Sequence, residues 1–204
     1  MPQKIALITG GSRGLGRSAA EHLALAGVPV IITYRTGKAE ADSVIATIRK
    51  NGGSATSLQL DMTDTASFSE FGAELKSILT RDFGRRTLDF LVNNAGSGIY
   101  KSIADTTEAE FDTLMNVHLK GVFFLTQRLL PMIADGGRIL NVSSGLTRFS
   151  LPGYGGYACM KGAVEVFTRY LAQELGGRNI AVNTLAPGAI ETDFGGGVVR
   201  DNVE

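Results

Sequence analysis

Six short apolar runs, separated by stretches of helical period, place the tightest limit on what this chain can fold into. The runs are residues 4–9 (KIALIT), 28–34 (VPVIITY), 57–60 (SLQL), 88–92 (LDFLV), 138–142 (RILNV) and 180–185 (IAVNTL). Each is short, apolar and closed by turn residues, as buried strands are. Between them apolar residues recur at helical spacing: Leu15, Ala19, Leu23 and Ala26; Ala41, Val44, Ile45 and Ile48; Phe68, Phe71, Leu75 and Ile78. The pattern returns at Phe111, Leu114, Met115, Leu119, Val122 and Phe123, and again at Ala163, Val166, Phe167, Tyr170, Leu171 and Leu175. Strands alternating with helices predict an α/β fold with a doubly wound parallel sheet in three layers, whose ligands bind beyond the carboxyl ends of the strands. With 204 residues and 44% hydrophobic content, one sizeable core and one domain over residues 1–204 are expected. Residues 187–204 show no clear period and read as the start of a mobile substrate loop.

Charge excludes several partners. Twenty basic and twenty acidic residues cancel, so no long-range field steers nucleic acid or an anionic membrane to the chain. Small molecules and copies of the chain itself are the expected partners. The lone Cys159 has no disulfide partner, and the start MPQKIALITGG lacks the parts of a signal peptide, so a reducing cytoplasm is expected. No apolar run approaches the roughly 20 residues of a membrane span.

The first strand runs into GGSRGLG, where Gly10, Gly14 and Gly16 permit a tight turn and close backbone approach. A helix follows, so free N–H groups and the helix dipole would face the turn and favour a pyrophosphate. The spacing is G-x-x-x-G-x-G, and a glycine turn of this kind can also be ordinary turn chemistry. About 20 residues on, where dinucleotide folds place a ribose-binding acid, stand Tyr34 and Arg35. Arg35 with Arg13 would bind a 2′-phosphate through planar guanidinium forks, which predicts NADP(H), unless both are solvated surface arginines. Asp61 ends the third strand, where it would bind an adenine amino group or begin a turn. Asn93 to Gly96 (NNAG) end the fourth, where they would line a cleft or serve the turn. Asp64 and the pair Thr107 and Glu110 are helix caps, the latter a capping box. Asn116 is a polar residue inside a helix, exposed or bound at a site, whereas His22 and His118 have no partner motif and read as structural or surface residues.

After the fifth strand comes Ser144, and then Tyr157 with Lys161 four residues later. On a helix that spacing stacks phenol and ammonium on one face. A cation beside a phenol lowers its pKa and readies it for proton transfer near neutral pH. Alone, such a pair is more often a coincidence of the surface.

Taken in order, TGGSRGLG at residues 9–16, NNAG at 93–96, the helical Asn116, Ser144 with Tyr157-x-x-x-Lys161, and Pro187-Gly188 followed by Thr192 resemble the classical short-chain dehydrogenase/reductase family across essentially the whole chain. NADP(H)-preferring members similar to 3-oxoacyl-[acyl-carrier-protein] reductases are the nearest likeness. The resemblance implies a Rossmann fold and hydride transfer between NADP(H) and a carbonyl or secondary alcohol. Tyr157 would be general acid and base, Ser144 a donor to the same oxygen, and Lys161 a support for the phenolate and the nicotinamide ribose. Asn116 would order a water that links the lysine to solvent. The cofactor would be held by Gly10, Ser12, Arg13, Gly14, Leu15, Gly16, Tyr34, Arg35, Asp61, Met62, Asn93, Ala95, Gly96, Tyr157, Lys161, Pro187, Gly188, Ile190 and Thr192. Ser97, Leu146, Phe149, Tyr154 and Ala189 would shape the substrate pocket. No metal is implied, and a homo-oligomer, tetramer or dimer, is. Tyr154 is a rival acid, but Ala158 four residues after it carries no charge. Cys159 points about 200° from Tyr157 on the helix, which predicts a packed thiol. Family members usually continue through another helix and a final strand, so an end at Glu204 reads as truncation within the substrate lid. A protein that kept the cofactor fold without turnover, as a sensor or interaction module, is the alternative reading.

Overall fold

In the computed structural model, which describes residues 3–194 and residue 201, every strand of the central sheet runs parallel to its neighbours. The strands are β1 (Ala6–Ile8), β2 (Val30–Tyr34), β3 (Ala55–Gln59), β4 (Leu88–Asn93), β5 (Ile133–Val142) and β6 (Ala181–Leu185), in the order β3-β2-β1-β4-β5-β6. The helices are α1 (Gly14–Leu25), α2 (Lys38–Lys50), α3 (Phe68–Phe83), α4 (Glu108–Met115), α5 (Gly121–Leu129) and α6 (Gly155–Leu175). The chain reverses direction of winding between β1 and β4, which opens a crevice there at the carboxyl ends.

Alternate side chains of β1 feed two cores, as the strand period requires. Ala6 and Ile8 pack with Ala20, Val44, Ile45 and Ile48 beneath α1 and α2. Leu7 packs on the other face with Phe68, Phe71 and Leu75 of α3, Leu125 and Leu129 of α5, and Leu171 and Leu175 of α6. The α1/α2 layer lies over β1–β3, and farther along the same face Phe90, Val92, Leu140 and Val142 remain half-buried.

Several helical stripes differ from the sequence reading. In α1 the buried residues are Gly16, Ala20 and Ala24, one position later than expected, while Leu15 is exposed. A Cβ at Gly16 would stand 2.3 Å from the Gly10 carbonyl oxygen, so the helix approaches the turn too closely for large residues to face inward. Phe111, Phe123, Val166 and Tyr170 are exposed, and α5 and α6 bury Leu125, Val164 and Thr168 beside the expected Val122. The segment expected to run as one helix through Asn116 is α4 and α5 joined by a π-turn, Asn116–Lys120. That inserted turn rotates α5 relative to α4, which is why one helical period fitted to both misplaces Phe111 and Phe123. Thr107 and Glu110 form the expected capping box, and Asp64 caps the turn before α3. Of the loop expected over residues 187–204, residues 195–200 and 202–204 lie outside the described residues.

Candidate active site

The site is assembled on the carboxyl ends of β1, β4 and β5. At β1 the backbone turns sharply through Gly10 (φ 66°) and Gly14 (φ 54°), both in the left-handed region. Asn94 braces the turn, its side-chain amide donating to the carbonyls of Thr9 (2.9 Å) and Gly10 (3.1 Å). No side chain caps α1 at Arg13, so the first amides of that helix point open-ended into the crevice. Thr192 lies over the turn, its side chain in van der Waals reach of a Cβ placed on Gly14. Such a cradle, which side chains would fill, fits a pyrophosphate.

Arg13 and Arg35 are both exposed beside this turn and the end of β2, and neither guanidinium forms an ion pair among the described residues. Ser12 approaches Gly37, where it closes the floor between them. Asp61 spends one carboxylate oxygen on the main chain and hydroxyl of Thr63 (2.9 and 2.8 Å), which is the turn reading of that residue. Two expected cofactor residues have their side chains elsewhere. Met62 is buried in the α3/α5 core, and Asn93 is locked between Thr126 (3.0 Å) and Asn141 (2.8 Å), so only their main chains remain for a ligand. Ala95 packs against Gly10, Pro187 accepts a bond from Gly145 (2.8 Å) and Tyr34 one from the Leu60 amide (2.8 Å), while Gly188 and Ile190 make no hydrogen bond among the described residues.

Opposite the cradle, the end of β5 and the start of α6 bring Ser144, Tyr157 and Lys161 together, all three buried. Tyr157 is only 7% exposed. The Lys161 ammonium donates to the Val142 carbonyl (2.7 Å) and lies 5.6 Å from the centre of the Tyr157 ring. Burial pushes the Lys161 amine down to about 8 and pushes the Tyr157 phenol up to about 12, against the opposing pull of the Ser144 hydroxyl. This reverses the lowered phenol expected from the Tyr-Lys spacing.

His118 is the residue of this site that its lack of a motif concealed. It reaches Tyr157 from the π-turn, fully buried, its ring edge-on to the phenol at 5.1 Å and 90°. Nε2 lies 2.7 Å from the Ser97 carbonyl and is taken as the donor, which leaves Nδ1 an acceptor with no partner among the described residues. Burial, then the nearby Lys161 charge, pushes the imidazole down to about 3, so it is neutral. Asn116, by contrast, is half-buried at the start of the π-turn and makes no side-chain hydrogen bond among the described residues; its carbonyl accepts from Gly121. The signal available in the sequence was the placing of two polar residues, Asn116 and His118, among Leu114, Met115, Val117 and Leu119.

Aromatic and apolar side chains rim the opening. Tyr100 packs edge-on against Tyr154 (5.3 Å), Phe194 lies 5.6 Å from the Tyr157 ring, and Phe149, Leu151 and Ile103 are exposed. Leu146 backs Tyr157, and Tyr154 stands in the rim rather than beside Ser144. Cys159 is exposed, contrary to the packed thiol expected: no described residue covers it on the face of α6 away from Tyr157. Among the described residues no cluster of His, Cys, Asp and Glu could hold a metal, and no helix is long and apolar enough to cross a membrane.

Residues 4–202 match the family model described as short chain dehydrogenase. The hydroxynaphthalene reductase-like protein Arp2 of Metarhizium brunneum is 36% identical over 192 residues, covering 94% of this chain and 70% of that protein. The landomycin C-6 ketoreductase LanV, solved with bound NADP and rabelomycin, aligns with a TM-score of 0.89 at 40% identity, over 92% of this chain and 77% of that one. The reductase LugOII, described as catalysing keto-reduction at C1 during lugdunomycin biosynthesis, aligns with a TM-score of 0.92 at 38% identity, over 98% and 78%. None of these three is named for a 3-oxoacyl thioester. With the glycine cradle facing a buried serine, tyrosine and lysine, and with a family match across almost its whole length, this chain belongs to the short-chain dehydrogenase family.

Proposed function

We propose that the protein is an NADPH-dependent ketoreductase acting on a ketone set in, or beside, an aromatic ring system. The observation that carries this reading is a buried tyrosine and lysine beside Ser144, across the crevice from a glycine cradle. NADPH, when bound, supplies a hydride to the carbonyl carbon. Tyr157 donates its hydroxyl proton to the carbonyl oxygen, so that C=O becomes CH–OH, and Ser144 donates a hydrogen bond to the same oxygen as charge develops. The phenol is in its acid form at neutral pH, the form that reduction uses. Lys161 stands behind the phenol to return the proton, and the unpartnered Nδ1 of His118 is suited to accept from a water on the path to solvent. Gly10, Gly14 and Gly16 hold the pyrophosphate, Arg13 and Arg35 the 2′-phosphate, and Thr192 the nicotinamide end. The Tyr100–Tyr154 pair, Phe149 and Phe194 give the substrate a flat, apolar entrance, in keeping with the names of LanV and Arp2.

The protein is further proposed to work in the cytoplasm as one catalytic unit per chain and as a homo-oligomer. The exposed Phe123, Phe124, Val166 and Tyr170 of α5 and α6 support self-association. Sedimentation analysis tests it, and a monomer at micromolar concentration would remove that part. For the reaction, NADPH consumption is followed with tetralone-type aryl ketones, aliphatic ketones and 3-oxoacyl thioesters. Aryl ketones are expected to give the highest kcat/KM. Tight NADPH binding with turnover of none would sink the reductase reading in favour of a cofactor-binding sensor, and a preference for thioesters would refute the substrate class.

A further inference from the structure

Three residues around Ser144 converge on one carboxylate of α6. Ser143 Oγ, buried, lies 2.9 Å from Glu165 Oε1 and 3.3 Å from the Lys161 carbonyl, and its single proton goes to the charged acceptor. Thr147 Oγ1 lies 2.7 Å from the same oxygen. Arg148 reaches the other oxygen at 3.4 Å, but its side chain is 76% exposed and the pair adds little. Glu165 itself is only 15% exposed at its side chain, and the hydroxyl of Thr147 first, then that of Ser143, hold its carboxyl below the usual range. Along α6, Glu165 follows Lys161 by one turn and Tyr157 by two, so the three share one face.

The other flank of the same segment is fixed by backbone. Ser143 N–H donates to Leu185 (2.7 Å) and Gly145 N–H to Pro187 (2.8 Å). Beyond these, Gly145–Thr147 form a single 3₁₀ turn, and Ser144 Oγ accepts from the Leu146 amide (3.2 Å). The ties from this segment to a charged acceptor on α6 run through Glu165, beside the longer Ser143 contact with the Lys161 carbonyl and the Ser144 contact with Tyr157.

We propose that Glu165 is a positioning residue, a carboxylate clamp that fixes the Ser144 turn against α6 and so sets the serine hydroxyl at hydrogen-bonding distance from the Tyr157 phenol. The proposal rests on the ketoreductase reading for its kinetic consequence, but the geometry of the clamp can be read without turnover. Tyrosine labelled at 13Cζ reports the hydrogen bonding of the Tyr157 oxygen. Glu165→Ala is expected to move that resonance in the same direction as Ser144→Ala, Thr147→Val to move it less, and Glu165→Gln, which keeps the acceptor oxygen, to leave it near its wild-type position.

In turnover with an aryl ketone, Glu165→Ala is expected to lower kcat about 10- to 100-fold while the NADPH dissociation constant stays unchanged, with Glu165→Gln recovering most of the rate. On a Ser144→Ala background the same substitution should cost less than about twofold, because its effect passes through the serine. A Tyr157 resonance unmoved by both Glu165→Ala and Thr147→Val, or an equal kcat loss on both backgrounds, overturns the clamp. Absence of turnover in the wild-type protein would refute the ketoreductase reading alone, since the resonance still decides the clamp. Should Glu165→Ala fail to fold, Thr147→Val and Glu165→Gln carry the same comparison.

Discussion

At the turn after β1 the site is shaped by what its side chains leave out, whereas at the end of β5 it is shaped by side chains bound to one another. A Cβ on Gly16 would strike the Gly10 carbonyl, and the exposed Arg13 and Arg35 have no ion-pair partner among the described residues. Across the crevice, Lys161 is tied to Val142, His118 to Ser97, and Ser143 and Thr147 to Glu165. A cradle for a charged, flexible ligand gains from open donors that the ligand itself satisfies. A proton-transfer centre gains from groups held still and kept from water, where each unmet polar atom costs more. The two halves should therefore respond differently to substitution.

The largest expected effect is at the phenol. Tyr157→Phe removes the proton donor and should lower kcat by about 10²- to 10⁴-fold, with NADPH affinity retained in fluorescence titration. Loss of cofactor binding instead would show that the two halves are not separable. Next comes His118. Its folded pKa of about 3 lies below the unfolded value near 6.5, so the native state binds fewer protons between those limits. Stability is full above about pH 6.5 and is lost as the pH falls toward 3, by about 2–3 kcal/mol at about pH 4.5. His118→Asn should flatten that part of the profile in guanidinium titrations at the two pH values, and an unchanged slope would contradict the buried neutral imidazole.

On the open half, Arg13→Ala and Arg35→Ala should each weaken NADPH binding by about tenfold, the cost of about one charge-assisted hydrogen bond, while leaving NADH unaffected. Equal losses for both cofactors would remove the 2′-phosphate role. The smallest effect belongs to Cys159→Ser, two residues from Tyr157 but on the exposed face of α6, which should change stability by less than about 0.5 kcal/mol and leave kcat alone.

The order of strands and helices was legible because each strand carries its own apolar run and each helix its own period. The same reasoning failed between residues 111 and 123, where the π-turn Asn116–Lys120 breaks the period it relies on. It failed again for Val166 and Tyr170, because a stripe of apolar residues gives no sign of whether this chain's own core covers it. In the site, spacing singled out Tyr157 and Lys161, the family resemblance added Ser144, and the structure brings the three together. Glu165 could not be, since its partners are distributed over residues 143 to 148 and meet it only when β5 packs beside α6.

The sequence by itself determined the alternation of elements, the glycine turn at the first strand end and the pairing of a tyrosine with a lysine one turn apart. These are local facts, set by period and by backbone freedom. Only the tertiary structure decided the chemistry of that pair. Burial under His118 and Phe194 turns the expected low-pKa phenol into one held near 12, and the lysine into an amine near 8 bonded to Val142. Desolvation depends on everything that surrounds a group, and no spacing along the chain contains it.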